Sequence, residues 1–487
     1  MASIRQLFGQ TSIYGLGSIL PRFLNYLLTP LYTYLFTNPA DYGINAEVYA
    51  YISFLNIIFT YGMETAYFHF VNKSNEPQKI FNNALSLILM TTTFFSLILL
   101  LFSNNISKLL NYQNNLFVMW TIGIIATDAI MAIPFAYIRQ QQQPLYFSLI
   151  KISNVLVNIL LNLFFFLVCK KEYDAGHQNL FSSIYSPDIG IGYSFLSNLL
   201  SNVFSIVILF PVWKNFHLSI DWKLIKKMLS YALPLLIVGL AGMINETFDR
   251  IILKYLLPLE VAQSAQGIYG ACYKISILMT IFIQSYRYAA EPFFFRTFKD
   301  NDAKKMYALS TEVFIAFGLI IWLGTLVNLP IIQYFIGPSY RIGLKVVPIL
   351  LTANLCLGIY FNLSFWYKLT GQTQIGAYVT LLGAFITLLI NFIFVPKYSY
   401  LASAYATLAA YGSMMLVAYF LGQKYFKIDY PYGRIFFNTA IAFLIYFICT
   451  QLIHNKNYYQ LIAGNLFLIF YIVYLFKKYH YIIQQKN

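Results

Sequence analysis

Long apolar runs dominate this chain, and each is close to the length of a membrane-spanning helix. Crossing the hydrocarbon core takes about 20 apolar residues in a helix. Only 10% of the 487 residues are charged, against about 25% in a soluble globular protein. The runs are continuous and do not alternate over segments of about ten residues, which argues against a membrane β-barrel. The sequence therefore predicts an all-α integral membrane protein without a soluble domain.

The apolar runs define about fourteen predicted spans, separated by short loops. They are residues 11–35, 44–68, 81–103, 116–137, 146–168, 189–213, 229–253, 262–287, 307–330, 344–367, 375–396, 400–421, 434–453 and 459–476. The first run contains Pro21 and Arg22 and is not followed by a small-residue cleavage site. It is therefore expected to be a retained helix and not a cleavable signal peptide.

Lysine and arginine are distributed unevenly between the two sides of these spans. With a cytoplasmic N-terminus, 19 of the 32 basic residues fall in inner segments, 8 in outer segments and five within helices. Positive residues concentrate in cytoplasmic loops. We therefore expect both termini inside, and the net charge of +15 is explained by orientation without any nucleic-acid partner.

Two halves of the chain resemble each other. A shift of 229 residues places 139–143 on 368–372 and 161–164 on 390–393, and a gapped echo places 42–55 on 269–278. Six spans per repeat is an even number, so the repeats are expected to share one topology, with a pseudo-two-fold axis along the membrane normal. The predicted organisation is an N-terminal six-helix lobe (1–213), a cytoplasmic basic linker (214–228), a C-terminal six-helix lobe (229–424) and two additional transmembrane helices (425–487).

Ionisable residues lie inside several predicted spans, where a charge facing lipid costs roughly 2.5–3.5 kcal/mol. Arg22 and Lys274 lie near the middle of the first and eighth spans, one in each half. If both border a central cleft, they form a cationic cavity for an anionic head group such as a pyrophosphate. The alternative is structural ion pairing, Arg22 with Glu64 or Lys274 with Glu246.

Further charges complete the set of candidate site residues. Arg250 and Arg287 are additional candidates for the cationic substrate cavity. The candidates for ion coupling or gating are Asp128, Glu64, Glu246 and Asp249. Glu246 precedes Asp249 by three residues and Arg250 by four, so it can approach either on a helix, and Arg287 and Glu291 have the spacing of a helix-end salt bridge.

Other features carry no chemistry on the sequence alone. The four cysteines are scattered, and the five histidines fall at span ends or in loops, so no metal site or cofactor is expected. The outer insertion 169–188 is expected to be a solvated loop, with a metal site as the less favoured alternative. Pro21, Pro30 and Pro234 are expected to kink the first and seventh spans.

Five segments resemble one family of membrane proteins. They are residues 15–25 (GLGSILPRFLN), 29–33 (TPLYT), 41–43 (DYG), 239–250 (GLAGMINETFDR) and 366–371 (WYKLTG). In these segments the chain resembles the oligosaccharide flippases of the polysaccharide-transporter family, which includes the O-antigen flippases. That family belongs to the multidrug/oligosaccharidyl-lipid/polysaccharide exporter superfamily.

The resemblance implies two six-helix lobes with two extra helices. It also implies movement of undecaprenyl-pyrophosphate-linked glycan units from the inner to the outer leaflet of the bacterial inner membrane. Family members often have cationic residues in the cavity, a role that Arg22 and Lys274 would fit. The implied partners are the polyprenyl-linked glycan, membrane lipids, and possible polysaccharide polymerase and glycosyltransferase enzymes. Coupling to a proton or sodium gradient is an open expectation.

Three alternatives remain open at this point. A drug or metabolite exporter of the same fold would prefer cationic substrates, and the basic residues inside the spans argue against it. A peptidoglycan-precursor flippase shares the fold and is not separated by any motif. A membrane enzyme is disfavoured, because the lone D-x-D triplet, Asp300 to Asp302, sits in a polar loop beside several lysines.

The predicted orientation leads to a labelling experiment. In a background without the four native cysteines, a cysteine at Asn179 in the outer insertion is expected to react with an impermeant maleimide on intact cells. A cysteine at Lys226 in the basic linker is expected to react only after permeabilisation. The opposite pattern would show that the positive-inside bias does not set the topology.

Overall fold

The computed structural model describes residues 15, 17, 19–297, 303–452 and 457–484. This part of the chain is helical almost throughout and contains no β-strand. Twelve of its helices are long and apolar enough to cross a membrane. The all-α, multi-pass membrane fold is therefore confirmed, whereas the count of fourteen spans stays a prediction. The first predicted span is interrupted and lies partly outside the described residues, and the second is broken.

Packing divides the chain into a unit that ends at Gly267 and a unit that begins at Ile268. The first unit contains α1 (19–26), α2 (Leu28–Leu35), α3 (Pro39–Thr60), α4 (Met63–Val71), α5 (Pro77–Leu101), α6 (Ser103–Leu109), α7 (Leu116–Gln140), α8 (Pro144–Leu163), α9 (Lys170–Asp174), α10 (Leu180–Ile184), α11 (Tyr193–Ile208), α12 (Phe210–Trp213) and α13 (Trp222–Leu256). A π-helical stretch, Phe164–Cys169, joins α8 to α9.

Helix α14 (Leu259–Thr297) begins in the first unit and continues into the second. The second unit then contains α15 (Ala303–Val327), α16 (Leu329–Ile332), α17 (Val347–Leu363), α18 (Phe365–Leu369), α19 (Thr373–Tyr398), α20 (Tyr400–Tyr425), α21 (Tyr432–Phe447) and α22 (Asn457–Gln484). A 3-10 segment, Pro338–Val346, precedes α17.

The second predicted span, expected to be one helix over 44–68, is two helices. Helix α3 begins at Pro39, where the Asn38 side chain caps the first turn by accepting from the Ala40 amide at 3.1 Å. It ends at Tyr61 (φ 35°) and Gly62 (φ 75°), two consecutive residues in the left-handed region. A side chain is strained at such a φ, and a Cβ on Gly62 would also press on the Ala232 carbonyl oxygen. The break sets the direction of α4.

Prolines affect the two predicted kink sites differently. The first span is interrupted at Leu27, between Pro21 and Pro30, so α1 and α2 are separate. Pro234, by contrast, lies inside α13, which runs without interruption for 35 residues. That helix begins at Trp222 and is capped by Asp221, so the second half of the predicted linker 214–228 is helical.

The core of the first unit is formed by large apolar side chains near one end of the bundle. Met63, Tyr67, Phe81, Leu85 and Met228 are almost completely buried in one cluster. They come from α4, α5 and α13. Helix α13 therefore shares a core with helices of the first half. The order of the spans does not predict this, because it assigns residues 229–253 to the second lobe.

A fully buried ion pair also fixes α13 in the first unit. The Lys254 ammonium donates to both Glu47 carboxylate oxygens, at 2.7 and 3.0 Å, and to the Leu110 carbonyl. It also lies 4.6 Å from the centre of the Tyr112 ring. Both charged side chains are 3% exposed or less. On sequence alone Lys254 counts among the basic residues of the outer segments, and that count does not predict that its ammonium is buried against α3.

Local geometry supports the repeat alignment in each unit taken by itself. Asn162 and Asn391, which the alignment pairs, are both buried, and each donates to the carbonyl four residues before it. Each also accepts a hydrogen bond of 2.7 Å from a hydroxyl group. Gln142 (φ 54°) and Gly371 (φ 75°) are also paired by the shift of 229 residues, and both adopt the left-handed conformation.

Replacing Lys254 tests the buried ion pair. Lys254→Met leaves the Glu47 carboxylate buried without its counter-charge, so the free energy of unfolding is expected to fall by about 3–5 kcal/mol. Unfolding of the purified protein in a denaturing-detergent titration measures the change. The double variant Glu47→Leu/Lys254→Met removes both charges and is expected to recover most of the loss. A single variant as stable as the parent chain would contradict this assignment.

Candidate functional site: a cationic row in the first unit

Five charged side chains interact within the first unit. Lys151 on α8 lies in the electrostatic field of Asp128, Glu64, Arg139 and Arg22. We call Arg22, Arg139 and Lys151 the cationic row. Its three positive charges exceed the two negative charges beside them, so the local field favours an anion.

Arg139 forms the part of the cationic row at the end of α7. Its guanidinium donates to the Glu64 carboxylate of α4. The rings of Phe68 and Phe147 lie 5.0 and 5.9 Å from its central carbon, which is the range of a cation–π contact. Its Nε has no acceptor among the described residues. The position of Glu64 follows from the break at Gly62, because the break places this carboxylate in the first turn of α4.

Lys151 lies deeper in the bundle. Its ammonium sits 3.9 Å above the Phe135 ring of α7. Pro144 begins α8, and the rise of 1.5 Å per residue puts Lys151 about 10 Å further along that helix. Arg139 is the penultimate residue of α7. The row therefore extends from the end of the helices toward the interior, with Arg22 exposed on α1.

Asp128 belongs to a polar network between α7 and α11. The Asn202 amide donates to its carboxylate at 2.9 Å and to the Thr127 hydroxyl at 3.1 Å. The Asn154 amide from α8 donates to the Asn202 side-chain oxygen at 3.1 Å and to the Ser205 hydroxyl at 2.9 Å. Fully connected networks of this kind hold a carboxylate in one orientation within a membrane.

The remaining predicted residues of the first unit occupy two separate environments. Asp249 is buried, accepts from the Arg250 amide at 2.8 Å, and lies 4.0 Å from the Arg250 Nε. Glu246 is exposed on the same helix. The Arg250 carbonyl accepts from Gln266 at 2.6 Å. Asp249 and Arg250 are therefore tied into local packing, and their predicted roles in gating and binding remain predictions.

The alternative pairing of Arg22 with Glu64 is corrected by the structure. Glu64 binds Arg139, because α4 turns its carboxylate toward the end of α7. The predicted helix-end pair of Arg287 and Glu291 is also wrong. Glu291 lies 2.8 Å from the Lys368 ammonium, and the Arg287 guanidinium lies 4.0 Å from the Phe361 ring.

The second unit contains a counterpart of the Arg139–Glu64 pair. Arg139 aligns with Lys368 by the shift of 229 residues, and each binds a glutamate of an earlier helix, Glu64 in the first turn of α4 or Glu291 near the C-terminal end of α14. Lys274, the predicted cavity lysine of this half, is half-buried on α14. The Asp300 to Asp302 triplet lies outside the described residues.

Sequence reasoning missed several charged groups. Lys151 was counted among the basic residues within helices but was not a candidate, and Arg139 was interpreted only as an orientation signal. The repeat alignment, which pairs Arg139 with Lys368, was the available sign that both positions matter. Glu312 was also missed: it is buried, accepts from Arg434 at 2.8 Å and from Tyr479 at 3.3 Å, and ties α15 to α21 and α22.

Metal binding has no support in the described residues. No group of three histidine, cysteine, aspartate or glutamate side chains among them could hold a metal ion. The outer insertion instead pairs His177 with Glu172 at 2.9 Å and Lys170 with Asp174 at 2.5 Å. The insertion is also not a continuous loop, because it contains α9 and α10.

Comparisons with known proteins identify the fold. A family model described as polysaccharide biosynthesis protein matches residues 8–298. The solved structure of the lipid II flippase MurJ in an inward closed conformation is similar over 96% of this chain and 99% of that chain, with a TM-score of 0.67 and 14% identity. An inward-facing multidrug resistance MATE family transporter of the MOP superfamily is similar over 85% of this chain and 94% of that chain, with a TM-score of 0.60 and 12% identity.

A third structure, the MATE multidrug transporter DinF-BH, is similar over 90% of this chain and 97% of that chain, with a TM-score of 0.59 and 12% identity. No curated protein sequence matches the chain. At these identities the likeness shows the fold. The family and the structural neighbours are transporters and flippases, not enzymes.

The network around Asp128 allows a stability test. Asn202→Leu removes the amide that binds the Asp128 carboxylate, and loss of a hydrogen bond to a charged group is expected to cost about 1.5–3 kcal/mol. Thermal unfolding in detergent measures the change. Asp128→Asn in the same background removes the charge that lost its partner and is expected to restore part of the loss. Independent, additive effects of the two substitutions would show that the two groups are not coupled.

Proposed function

Because the chain belongs to the polysaccharide biosynthesis protein family, we propose that it flips undecaprenyl-pyrophosphate-linked oligosaccharide repeat units across the membrane. The units move from the cytoplasmic to the periplasmic leaflet by alternating access, in the biosynthesis of a surface polysaccharide such as the O-antigen of lipopolysaccharide. The chain is a multi-pass membrane transporter of the MOP type. The identity of the substrate is our proposal.

The cationic row of the first unit carries this proposal. A lipid-linked repeat unit has its negative charge concentrated in the pyrophosphate, while its sugars are neutral or weakly charged. Arginine binds phosphate oxygens through two parallel N–H donors, and lysine acts as a compact positive charge. Arg22, Arg139 and Lys151 offer both types, and the charges of the two arginines act on Lys151. The polyprenyl tail stays in lipid during the movement.

The same observation ranks the alternatives. An exporter of organic cations needs a cavity with excess negative charge, and the positive excess around Lys151 disfavours it. A peptidoglycan lipid-precursor flippase is the closer competitor, because that substrate also carries a pyrophosphate. The two glycan substrates differ in their sugars, so a cellular experiment has to separate them.

Resetting the transporter requires a source of free energy, and we propose a proton or sodium gradient. Asp128 is the first candidate for the coupling carboxylate, since it is held by Asn202 inside the bundle and lies in the field of Lys151. Glu246 and Asp249 are the further candidates. Transport that is independent of both gradients would contradict this part of the proposal.

We propose further that the protein resides in the bacterial inner membrane with both termini in the cytoplasm. Its partners there are the lipid-linked glycan, the surrounding lipids, and the glycosyltransferases and polymerase that make and consume the repeat unit. Lys274 in the second unit is proposed as a further contact to the head group, together with Arg250 and Arg287.

A deletion strain tests the function. Loss of surface polysaccharide is expected, together with accumulation of an intact polyprenyl-linked repeat unit identified by mass spectrometry of membrane lipids. Complementation with Arg22→Ala or Lys151→Ala is expected to restore less than about a tenth of the surface glycan, since each removes a charge from the head-group site.

Lys397→Ala serves as the matched control, because this basic residue is exposed at the end of α19, and it is expected to complement fully. Normal surface glycan with no accumulated intermediate would contradict the proposal. Accumulation of a peptidoglycan precursor instead would show that the protein is a peptidoglycan lipid-precursor flippase.

A further inference from the structure

The Arg139–Glu64 pair lies at the end of α7. Helix α7 has 25 residues, or about 37 Å at 1.5 Å per residue, enough to cross the hydrocarbon core and reach the head groups. Arg139 is one residue from its end, so its guanidinium lies at head-group depth. With both termini inside, this end faces the cytoplasmic leaflet.

We propose that Arg139 is a capture subsite for the substrate phosphate and that Glu64 is a placeholder carboxylate which the phosphate displaces. The proposal rests on the proposed function and adds a residue and an order of events to it. The pyrophosphate binds first at Arg139 and then moves inward along the row to Lys151.

The guanidinium is arranged for such an exchange. The rings of Phe68 and Phe147 lie within cation–π distance of it. Glu64 occupies Nη2, whereas Nε is buried and has no acceptor among the described residues, so a ligand reaches it only when Glu64 moves away. A phosphate has oxygens for both donors, so it gains a bidentate contact that Glu64 does not make here. The contact with Glu64 therefore holds Arg139 in position, but it uses only one of the two donors, so a phosphate can replace it.

Exposure also favours exchange over a structural role. The side chains of Arg139 and Glu64 are 34% and 42% exposed, in contrast to the buried Glu47–Lys254 pair of the same unit. Ion pairs that reach solvent are weak, so a more highly charged anion competes effectively. Displaced Glu64 remains in the field of Lys151, which compensates its charge after the exchange.

The second unit supplies a matched control. Its Glu291–Lys368 pair corresponds by the repeat and also lies partly exposed. Lysine, however, has no planar fork. The pair also lacks the preceding helix break, because α14 is continuous where α3 and α4 are separated. We therefore expect this pair to maintain packing without binding the phosphate.

Binding kinetics test the capture subsite directly. The purified full-length chain is placed in phosphatidylcholine nanodiscs, and association and dissociation of farnesyl pyrophosphate are followed. A charge at the rim of a site acts mainly on the association rate. Arg139→Gln is expected to lower the association rate about tenfold, and Arg139→Lys to lower it several-fold because the fork is lost.

Glu64→Gln is the decisive variant. It removes the competing carboxylate and keeps the shape of the side chain, so the association rate is expected to rise several-fold. Lys151→Gln is expected to act mainly on dissociation, since it lies deeper. Glu291→Gln and Lys368→Gln are expected to leave both rates unchanged, and thermal unfolding verifies that every variant is folded.

The outcomes separate this inference from the proposed function. An association rate that Glu64→Gln leaves unchanged, or lowers as much as Arg139→Gln does, would show that the pair is structural, while binding to the parent chain would still support the proposed substrate class. Equal effects of the Glu291 and Glu64 variants would overturn the placeholder role. A parent chain that does not bind farnesyl pyrophosphate would overturn both proposals.

Discussion

The arrangement of the first unit depends on one buried charge interaction, between Lys254 and Glu47. Desolvating an ammonium and a carboxylate is expensive, and the cost is offset only where the geometry is close and the remaining donors are satisfied. Here the lysine contacts both carboxylate oxygens, a backbone carbonyl and an aromatic ring. The pair holds the end of α13 against α3. It helps explain why the packing unit ends at Gly267, beyond the lobe boundary that span counting predicts.

A close backbone crossing reinforces the same arrangement. A Cβ on Gly43 would overlap the Gln263 carbonyl oxygen, and a Cβ on Gly267 would overlap the Pro39 carbonyl oxygen. Helices α3 and α14 therefore touch through their backbones inside the first unit. The charges of this unit include a fully buried pair, Glu47–Lys254, which holds helices together, and a partly exposed pair, Glu64–Arg139.

The sequence was sufficient for the fold class and for most helices, because twenty-residue apolar runs leave few alternatives. It identified Arg22, Glu64 and Asp128 as charges that need a polar environment. It could not identify their partners. Glu64 reaches Arg139 only because of the left-handed break between α3 and α4, and no local sequence pattern predicts that break. The partner of Lys254 could not be predicted for a related reason: a basic residue at a span end indicates only orientation on sequence alone, and the Glu47 carboxylate becomes its partner through the packing of α3.

The interruption at Tyr61 and Gly62 has a mechanical consequence. In a continuous helix a force on one end is carried along the whole ladder of backbone hydrogen bonds, whereas two left-handed residues end one ladder and begin another. The first half of the chain thus has a joint between α3 and α4, next to the Arg139–Glu64 pair, and α14, its counterpart by the repeat, has none at the equivalent place. The two halves share the repeat but differ in how easily they bend. Elastic deformation of this protein should therefore concentrate in the half that carries the cationic row.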